Sequence, residues 1–364
     1  MIESPLERFQ QNLREAAIDW AVVGPGYHLQ YLTGLQTRPS RRLTLAFIPQ
    51  SGKIRVVLPA LETDLIRSAE AMDAEVNCYR DGESPLLPLR SAMRQADRIG
   101  ADFANLRLWE WDAVREAGYE AMPMDISPFV WALRRIKTAE EIEKIRIAQR
   151  MSETAMEAAV QIAKPGVSER QLAKLIGNLI LDAGADGVSF NPFVASGANA
   201  ASPHHSPTDK PIEPGELFIV DCGAYRDGVA GDVTRTFCFG EPSPELARIA
   251  EAATLSTEAA VVVTRAGVKA CDVDAASRGV LQEFGLPDYP HSTGHAIGVE
   301  ADPPHEPPRL TPTNQDVLQV GMVLTIEPGV YVHGVGGARV EDAVAVEEDG
   351  NENLCRLPRH LIRL

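Results

Sequence analysis

The segment Glu157-Ala158-Ala159-Val160 recurs as Glu258-Ala259-Ala260-Val261, Gly166-Val167 recurs as Gly267-Val268, and Gly184 recurs as Gly285, each 101 residues further along the chain. Three recurrences in one register constrain the fold more than any single motif does, because a duplicated unit buries its apolar faces against its own copy. They predict a C-terminal part built of two related halves, each a helix pair feeding β-strands, about a pseudo-twofold axis. A site on that axis draws side chains from both halves. Chance recurrence in Ala-rich helices is the competing account.

Ahead of the repeat there is room for another domain, since 364 residues suffice for two that each bury a core. The stretches "DWAVVGP" and "LTLAFIPQSGKIRVVLPAL" are β-rich, the second folding back at Gln50-Ser51-Gly52-Lys53, while "PLERFQQNLREA" and "ALETDLIRSAEAM" carry helical spacing. They predict a small α/β domain over 1–130 with a last strand at "LRLWEWDAV", and the Pro-containing "MPMDISPFVWALRR" marks the boundary. The second domain, over 131–364, opens on a long amphipathic helix, "KTAEEIEKIRIAQRMSETAMEAAVQIA", whose Glu-rich first turn suits a helix N-terminus. Lys164-Pro165-Gly166 ends it, and Ser168 with Gln171 predicts a capping box on the next helix.

Composition narrows the class of function. Hydrophobic residues at 45% and charged residues at 24% suit a globular chain, and 35 Lys and Arg against 51 Asp and Glu leave a net charge of −16. That excess argues against a nucleic-acid or anionic-membrane partner. The polar start "MIESPLERFQQNLREA" and the absence of a long apolar run point to the cytoplasm. Five scattered cysteines without CxxC spacing are expected as reduced, small hydrophobes.

Against this background the stretch "VDCGAYRDGVAGDVTRT" sets Asp221 and Asp232 among glycines and small apolar residues. Asp227-Gly228 predicts a two-residue hairpin turn. In that register Arg226 faces Val229 and Asp221 faces Thr234, so Asp232 is the diagonal neighbour of Asp221 on the same face. Diagonal Cα atoms lie about 7–8 Å apart, and two carboxylates there can reach one point. They repel each other unless a cation sits between them. Two solvated turn aspartates are the alternative.

The rest of the domain favours the cation. "VLTIEPGVYV" sets Glu327 in an apolar strand before Pro-Gly, "GGARVEDAVAV" sets Glu341 in the next, and "HSTGHAIGVE" adds His291 and His295. Four carboxylates and an imidazole make a hard, oxygen-rich set suited to a pair of divalent ions such as Mn(II), with Co(II) or Zn(II) also possible.

These motifs, with "LRRIKTAEEIEKIR", "PHHSPTDKPIEPGELFIVDCGA", "GDVTRTF", "TIEPGVY" and "GARVEDAVAV", resemble those of the pita-bread metallopeptidases, the family of prolidase (Xaa-Pro dipeptidase) and aminopeptidase P. The resemblance runs from about Leu133 to the end, and more weakly over that family's creatinase-type N-terminal domain. It implies an α/β N-terminal domain followed by an α+β pita-bread domain, a dinuclear centre on Asp221, Asp232, His295, Glu327 and Glu341, and a homodimer. It further implies that His204 and His291 line the substrate site, that Tyr331 and Arg339 back the ligands, and that Arg309 in "HEPPR" lies near the proline carboxylate of a dipeptide. The reaction expected is hydrolysis of the Xaa-Pro bond. Glu327 moves the proton from the attacking water to the proline nitrogen, and His291 or His305 donates to the developing oxyanion.

The sequence departs from the family at three places. Asp302 stands where the family shows its next histidine, and "HE" follows three residues later at His305-Glu306, so an Asp-Pro-Pro insertion makes His305 the candidate. His205 has no counterpart and is read as a loop neighbour of His204. "YHLQYLTGLQTRPS" offers no acidic residue for a substrate amine. The complete set of five ligand types disfavours a metal-free C–N hydrolase like creatine amidinohydrolase, and equally an inactive binding relative. The N-terminal domain disfavours methionine aminopeptidase. Dipeptidase and aminopeptidase P both remain open. Arg309 leans towards the dipeptidase, with a solvated loop arginine or a dimer contact as the alternatives.

Overall fold

Strands β1 (Trp20–Val23), β2 (Leu45–Pro49), β3 (Arg55–Pro59), β4 (Glu75–Tyr79), β5 (Ile99–Ala101) and β6 (Met124–Asp125) form one sheet in the order β4-β3-β2-β1-β5-β6. This is a computed structural model that describes residues 4–93, 98–301 and 306–364. The sheet belongs to the first of two compact units, Met1–Arg134 and Arg135–Leu364. Its strands alternate: Ala21, Val23, Ala46, Ile48, Val56 and Leu58 pack into one core, and Val22, Leu45, Phe47 and Val57 into another. Helices α1 (Pro5–Glu15), α2 (Tyr27–Thr33), α3 (Thr63–Ala71), α4 (Leu86–Ala92), α5 (Leu108–Glu116) and α6 (Ser127–Arg135) complete the unit. A sheet buried on both faces needs near-continuous apolar strands, and β1, β2, β3 and β5 have them, while the edge strands β4 and β6 are partly exposed.

The strand expected at "LRLWEWDAV" is instead α5. Glu110 accepts from the Arg107 backbone N–H at 2.8 Å, the glutamate half of a capping box, and Glu110 and Val114 are buried one turn apart. Leu108 is 85% exposed, so the apolar residues that suggested a strand do not face a core together.

The second unit repeats itself. Helix α7 (Ala139–Ile162) with α8 (Glu169–Asp182) is matched by α9 (Pro244–Val263) with α10 (Ala270–Glu283). The joints match too: Gly166 N–H donates to Ile212 O at 2.8 Å and Ser168 bridges Pro211, while Gly267 N–H donates to Leu318 O at 2.9 Å and Lys269 bridges Val317. The capping box on α8 forms, with Ser168 Oγ accepting from Gln171 N–H at 3.2 Å.

Each helix pair covers strands of its own half. The first half supplies β7 (Gly187–Val188), β8 (Phe193–Ser196), β9 (Leu217–Cys222), β10 (Ala224–Arg226), β11 (Val229–Ala230) and β12 (Val233–Cys238). The second supplies β13 (Gly294–Ala296), β14 (Glu306–Leu310), β15 (Val323–Ile326), β16 (Gly329–Val332), β17 (Gly336–Arg339), β18 (Asp342–Val346) and β19 (Asn351–Asn353), and β20 (Ile362–Arg363) returns to pair with β12. The main sheets run β20-β12-β9-β8 and β14-β13-β15-β18-β19. Ile145, Met156, Leu172 and Ile176 pack on Phe218 and Val220, whereas Ala260 and Val273 pack on Leu324, Ile326 and Val344.

The first hairpin has the expected register, with Arg226 opposite Val229 and Thr234 opposite Asp221. Asp227 and Gly228 both take positive φ, 50° and 83°, as a type I′ turn requires. The expected long strands are interrupted, however, at Gly223 and at Gly231-Asp232. A Cβ on Gly231 would lie 2.8 Å from the Ala148 backbone, so glycine lets α7 press against the chain there. Gln149 of α7 then holds Asp232 on both sides, accepting from its N–H at 2.9 Å and donating to its carbonyl at 2.8 Å. Among the described residues no helix is long and apolar enough to cross a membrane.

Candidate metal centre

The interruption at Gly231 turns the buried Asp232 side chain towards the second half. There it meets His295 of β13 and Glu341, which precedes β18: one ligand atom of each lies within 4.8 Å of the others, and all three residues are buried. His295 Nε2 is 3.7 Å from Asp232 Oδ2 and 3.7 Å from Glu327 Oε1. Its Nδ1 is 3.0 Å from the Ala296 carbonyl, which can only accept, so Nδ1 carries the proton and the Nε2 lone pair faces the carboxylates. Glu327 follows β15 and is fixed by its own N–H, which donates to Thr293 O at 2.7 Å.

Asp221 of β9 stands outside that group of three but near enough for its charge to act on Asp232, Glu327 and Glu341. Its Oδ2 accepts from Arg339 Nη2 at 2.6 Å, and Glu341 Oε2 accepts from Thr234 Oγ1 at 2.7 Å. Among the described residues the other two oxygens, Asp221 Oδ1 and Glu341 Oε1, are buried without a donor. Burial, then the charges of Glu341, Asp221 and Glu327, push Asp232 well above the usual carboxylate range. Burial and the charges of Asp221 and Glu327 do the same to Glu341. Glu327 is pushed up to about 8 by burial, with Asp221 adding to it against Arg339 and Arg309. Burial raises Asp221 in spite of Arg339.

Orphaned buried oxygens and carboxylates that resist ionisation side by side are what a divalent cation corrects: it supplies the missing partner and the missing positive charge. The donor set, oxygens with one imidazole, fits hard divalent ions.

Behind the carboxylates runs a second line of contacts. Arg339 Nη1 donates to the Tyr331 hydroxyl at 3.1 Å, and that hydroxyl is 3.0 Å from His291 Nε2. His291 Nδ1–H donates to Ser292 O at 2.8 Å, so Nε2 accepts from Tyr331. Burial, then the Arg339 charge, push His291 down to about 4, which keeps the ring neutral. Both ring nitrogens are thus committed. The expected role of His291 as oxyanion donor is open to it only when its proton moves from Nδ1 to Nε2, giving up the bond to Ser292 O.

Arg309 of β14 lies directly across the sheet from His295 and is exposed, near enough to Glu327 for its charge to lower that carboxyl. His204 is exposed, and its charge acts on His291. His305 and Asp302 lie outside the described residues. Glu306 beside them is buried, 3.0 Å from Lys137 Nζ.

With the geometry in hand, residues 143–348 match metallopeptidase family M24, and residues 5–136 match the creatinase/prolidase N-terminal domain. The chain belongs to metallopeptidase family M24. Its relatives include the Xaa-Pro dipeptidase of Lactobacillus delbrueckii subsp. lactis, 31% identical over 356 residues and 95% of each chain. Among solved structures, a dipeptidase from Pyrococcus horikoshii is 34% identical with a TM-score of 0.91, covering 99% of this chain and 100% of its own. The prolidase of Thermococcus sibiricus is 32% identical with a TM-score of 0.92, covering 99% and 98%. As a family M24 metallopeptidase the chain uses divalent metal.

Sequence reasoning missed the residues that hold the ligands in place. Gln149 fixes Asp232, Thr234 takes one oxygen of Glu341, and the fully buried Arg235 bonds both the Glu341 carbonyl and the Asp342 carboxylate. The available signal was polarity at apolar positions. Gln149 and Ser152 fall on the α7 face that carries Ile145 and Met156, and Arg235 sits between strand residues with no solvent-facing side.

Proposed function

We propose that this metallopeptidase hydrolyses the Xaa–Pro bond of dipeptides at a centre held by Asp221, Asp232, His295, Glu327 and Glu341. The observation that carries the reading is the convergence of buried Asp232, His295 and Glu341, with exposed Arg309 across the strand from His295. The names of the relatives support the substrate class.

Two divalent ions, Mn(II) first and Co(II) or Zn(II) as alternatives, would polarise the scissile carbonyl and lower the pKa of a water towards neutrality. Everything else falls to the chain. Glu327, whose Oε1 lies 3.7 Å from His295 Nε2, passes a proton from the attacking water to the proline nitrogen. Arg339 holds Asp221 in place, and Tyr331 is held in turn between Arg339 and His291. A donor to the carbonyl oxygen as it gains charge comes from His305, or from His291 once its proton has moved from Nδ1 to Nε2. His204, exposed at the site, contacts the substrate near the proline. A tertiary amide offers no N–H to recognise, so selectivity rests on the shape of the proline pocket and on a clamp for whatever follows. In a dipeptide that is a carboxylate, which the Arg309 guanidinium can hold bidentately.

The same reading places the enzyme in the cytoplasm as a homodimer, which size-exclusion chromatography with light scattering tests. The substrate class is tested by hydrolysis of Ala-Pro, Ala-Pro-Ala and Ala-Ala with metal-stripped protein reconstituted in Mn(II). Ala-Pro should be turned over fastest and Ala-Ala hardly at all. A preference for the tripeptide would make the enzyme an aminopeptidase, and cleavage of Ala-Ala at an equal rate would overturn proline specificity.

A further inference from the structure

Glu169 opens α8 and has no exposed surface, yet the reaction does not use it. Its Oε1 accepts from Ser196 N–H at 2.8 Å, Ser196 Oγ at 2.9 Å and Asn199 Nδ2 at 3.0 Å. Its Oε2 accepts from His205 Nε2 at 2.8 Å, Thr208 N–H at 3.1 Å and Thr208 Oγ1 at 2.8 Å. Every donor lies between residues 196 and 208, the segment that leaves β8 and carries His204. One buried anion thus gathers both ends and the middle of that segment. Burial alone would raise this carboxyl, but the bonds from His205, Thr208 and Asn199 outweigh it and hold it at about 2.

The contacts continue towards the metal centre. The His205 ring stands edge-on to Phe193, with centroids 6.4 Å apart, and the Arg339 guanidinium lies over the same Phe193 ring at 4.9 Å. Phe193 faces Asp221 in the sheet register, and Arg339 binds the Asp221 carboxylate. Of two adjacent histidines, therefore, one is locked inward on Glu169 and the other is left exposed, near enough to His291 to act on it electrostatically.

We infer that Glu169 and His205 are positioning residues for His204: their bond fixes the 196–208 segment so that His204 is presented to the substrate in one place. The inference rests on the reading of His204 as a substrate-contacting residue. An anchored loop holds a binding group in its productive pose before substrate arrives, and misplacement by about 1 Å can cost about 100-fold. A carboxylate is required because six donors converge on it. Glutamine in its place would turn an NH2 group towards donors on one side.

The test uses the Mn(II)-reconstituted enzyme and Ala-Pro, with E169Q, H205A, H205Q and H204A and the double variants of each with H204A. E169Q and H205A are expected to lower kcat/KM by about 10- to 100-fold, chiefly through KM, at unchanged metal content. H205Q, whose side-chain amide can occupy the place of Nε2, is expected to recover most of the loss. In the H204A background the anchor variants should cost nothing further, because their effect passes through His204. Amide hydrogen exchange over 197–208 should rise about tenfold or more in E169Q and H205A. Losses that multiply in the H204A background would reduce the pair to a structural role and overturn the inference, as would unchanged exchange. Should E169Q fail to fold, H205A against H205Q carries the same comparison. Wild-type enzyme that does not cleave Ala-Pro would remove the substrate reading and this inference with it. That outcome differs from failure of the anchor alone, in which wild type is active and the exchange data do not move.

Discussion

Arg339 and Asp221 form a buried ion pair, Nη2 to Oδ2 at 2.6 Å, in which the same guanidinium also holds Tyr331 through Nη1 and reaches Thr234 Oγ1 through Nε at 3.4 Å. Three partners at fixed angles call for a planar fork, and an ammonium cannot reproduce it. Arg339→Lys should therefore behave like Arg339→Met, with kcat/KM lowered about 100-fold or more, since the partner carboxylate is left without its match. Steady-state kinetics of both variants decide this, and near-wild-type activity in Arg339→Lys would show that charge alone suffices.

Asp232 shares its burial with Glu341, and Glu341 Oε1 has no donor among the described residues. In metal-stripped protein at neutral pH burial and mutual repulsion oppose ionisation of the pair, which costs stability. Asp232→Asn should abolish hydrolysis and metal uptake, yet make the stripped protein more stable, by about 1–3 kcal/mol. Wild type should instead gain stability as Mn(II) is added, because the ion binds only the folded state. Calorimetry with and without Mn(II), alongside metal analysis, reads both. A stripped Asp232→Asn protein less stable than stripped wild type would contradict the repulsion.

Arg309 is exposed across from His295, where a substrate carboxylate would meet it. Arg309→Ala should lower kcat/KM for Ala-Pro by about 1.5–3 kcal/mol in transition-state terms and leave Ala-Pro-Ala nearly unchanged. Equal losses on both peptides would make Arg309 a structural or interface residue.

The Glu169 carboxyl sits at about 2, below its ordinary 4.5. A depressed carboxyl contributes its full stability above the unfolded value, and that contribution fades as pH falls from about 4.5 towards 2. At pH 6 Glu169→Gln should cost about 3 kcal/mol, and by pH 3 the gap to wild type should have narrowed markedly. Denaturant melts of both proteins at the two pH values give the difference directly. A gap that widens on acidification would mean that Glu169 is not ionised in the folded protein.

What could be read from the sequence was what local chemistry encodes. Asp227-Gly228 sets its own turn, and the turn alone places Asp221 opposite Thr234. The recurrence of Gly166 and Gly184 at Gly267 and Gly285 reflects two helix pairs with the same joints. Tryptophan favours strands in general, which makes "LRLWEWDAV" read as one, while the Glu110 bond to the Arg107 N–H that starts α5 is a weaker signal. Glu169 looked like any acidic residue in a first helical turn. Its partners lie 27 to 39 residues away, so nothing near it in the chain declares that it is an anchor.

The matched helix joints carry a consequence for how activity can be lost. Asp221 and Asp232 come from one half of the second unit, and His295, Glu327 and Glu341 from the other. The centre is thus a gauge of the seam between them. A disturbance that parts the two halves by a fraction of an ångström leaves both cores folded and the spectroscopic content of helix and strand intact, while the coordination sphere comes apart. Heat, mild denaturant and distant seam mutations should accordingly silence this enzyme well before they unfold it.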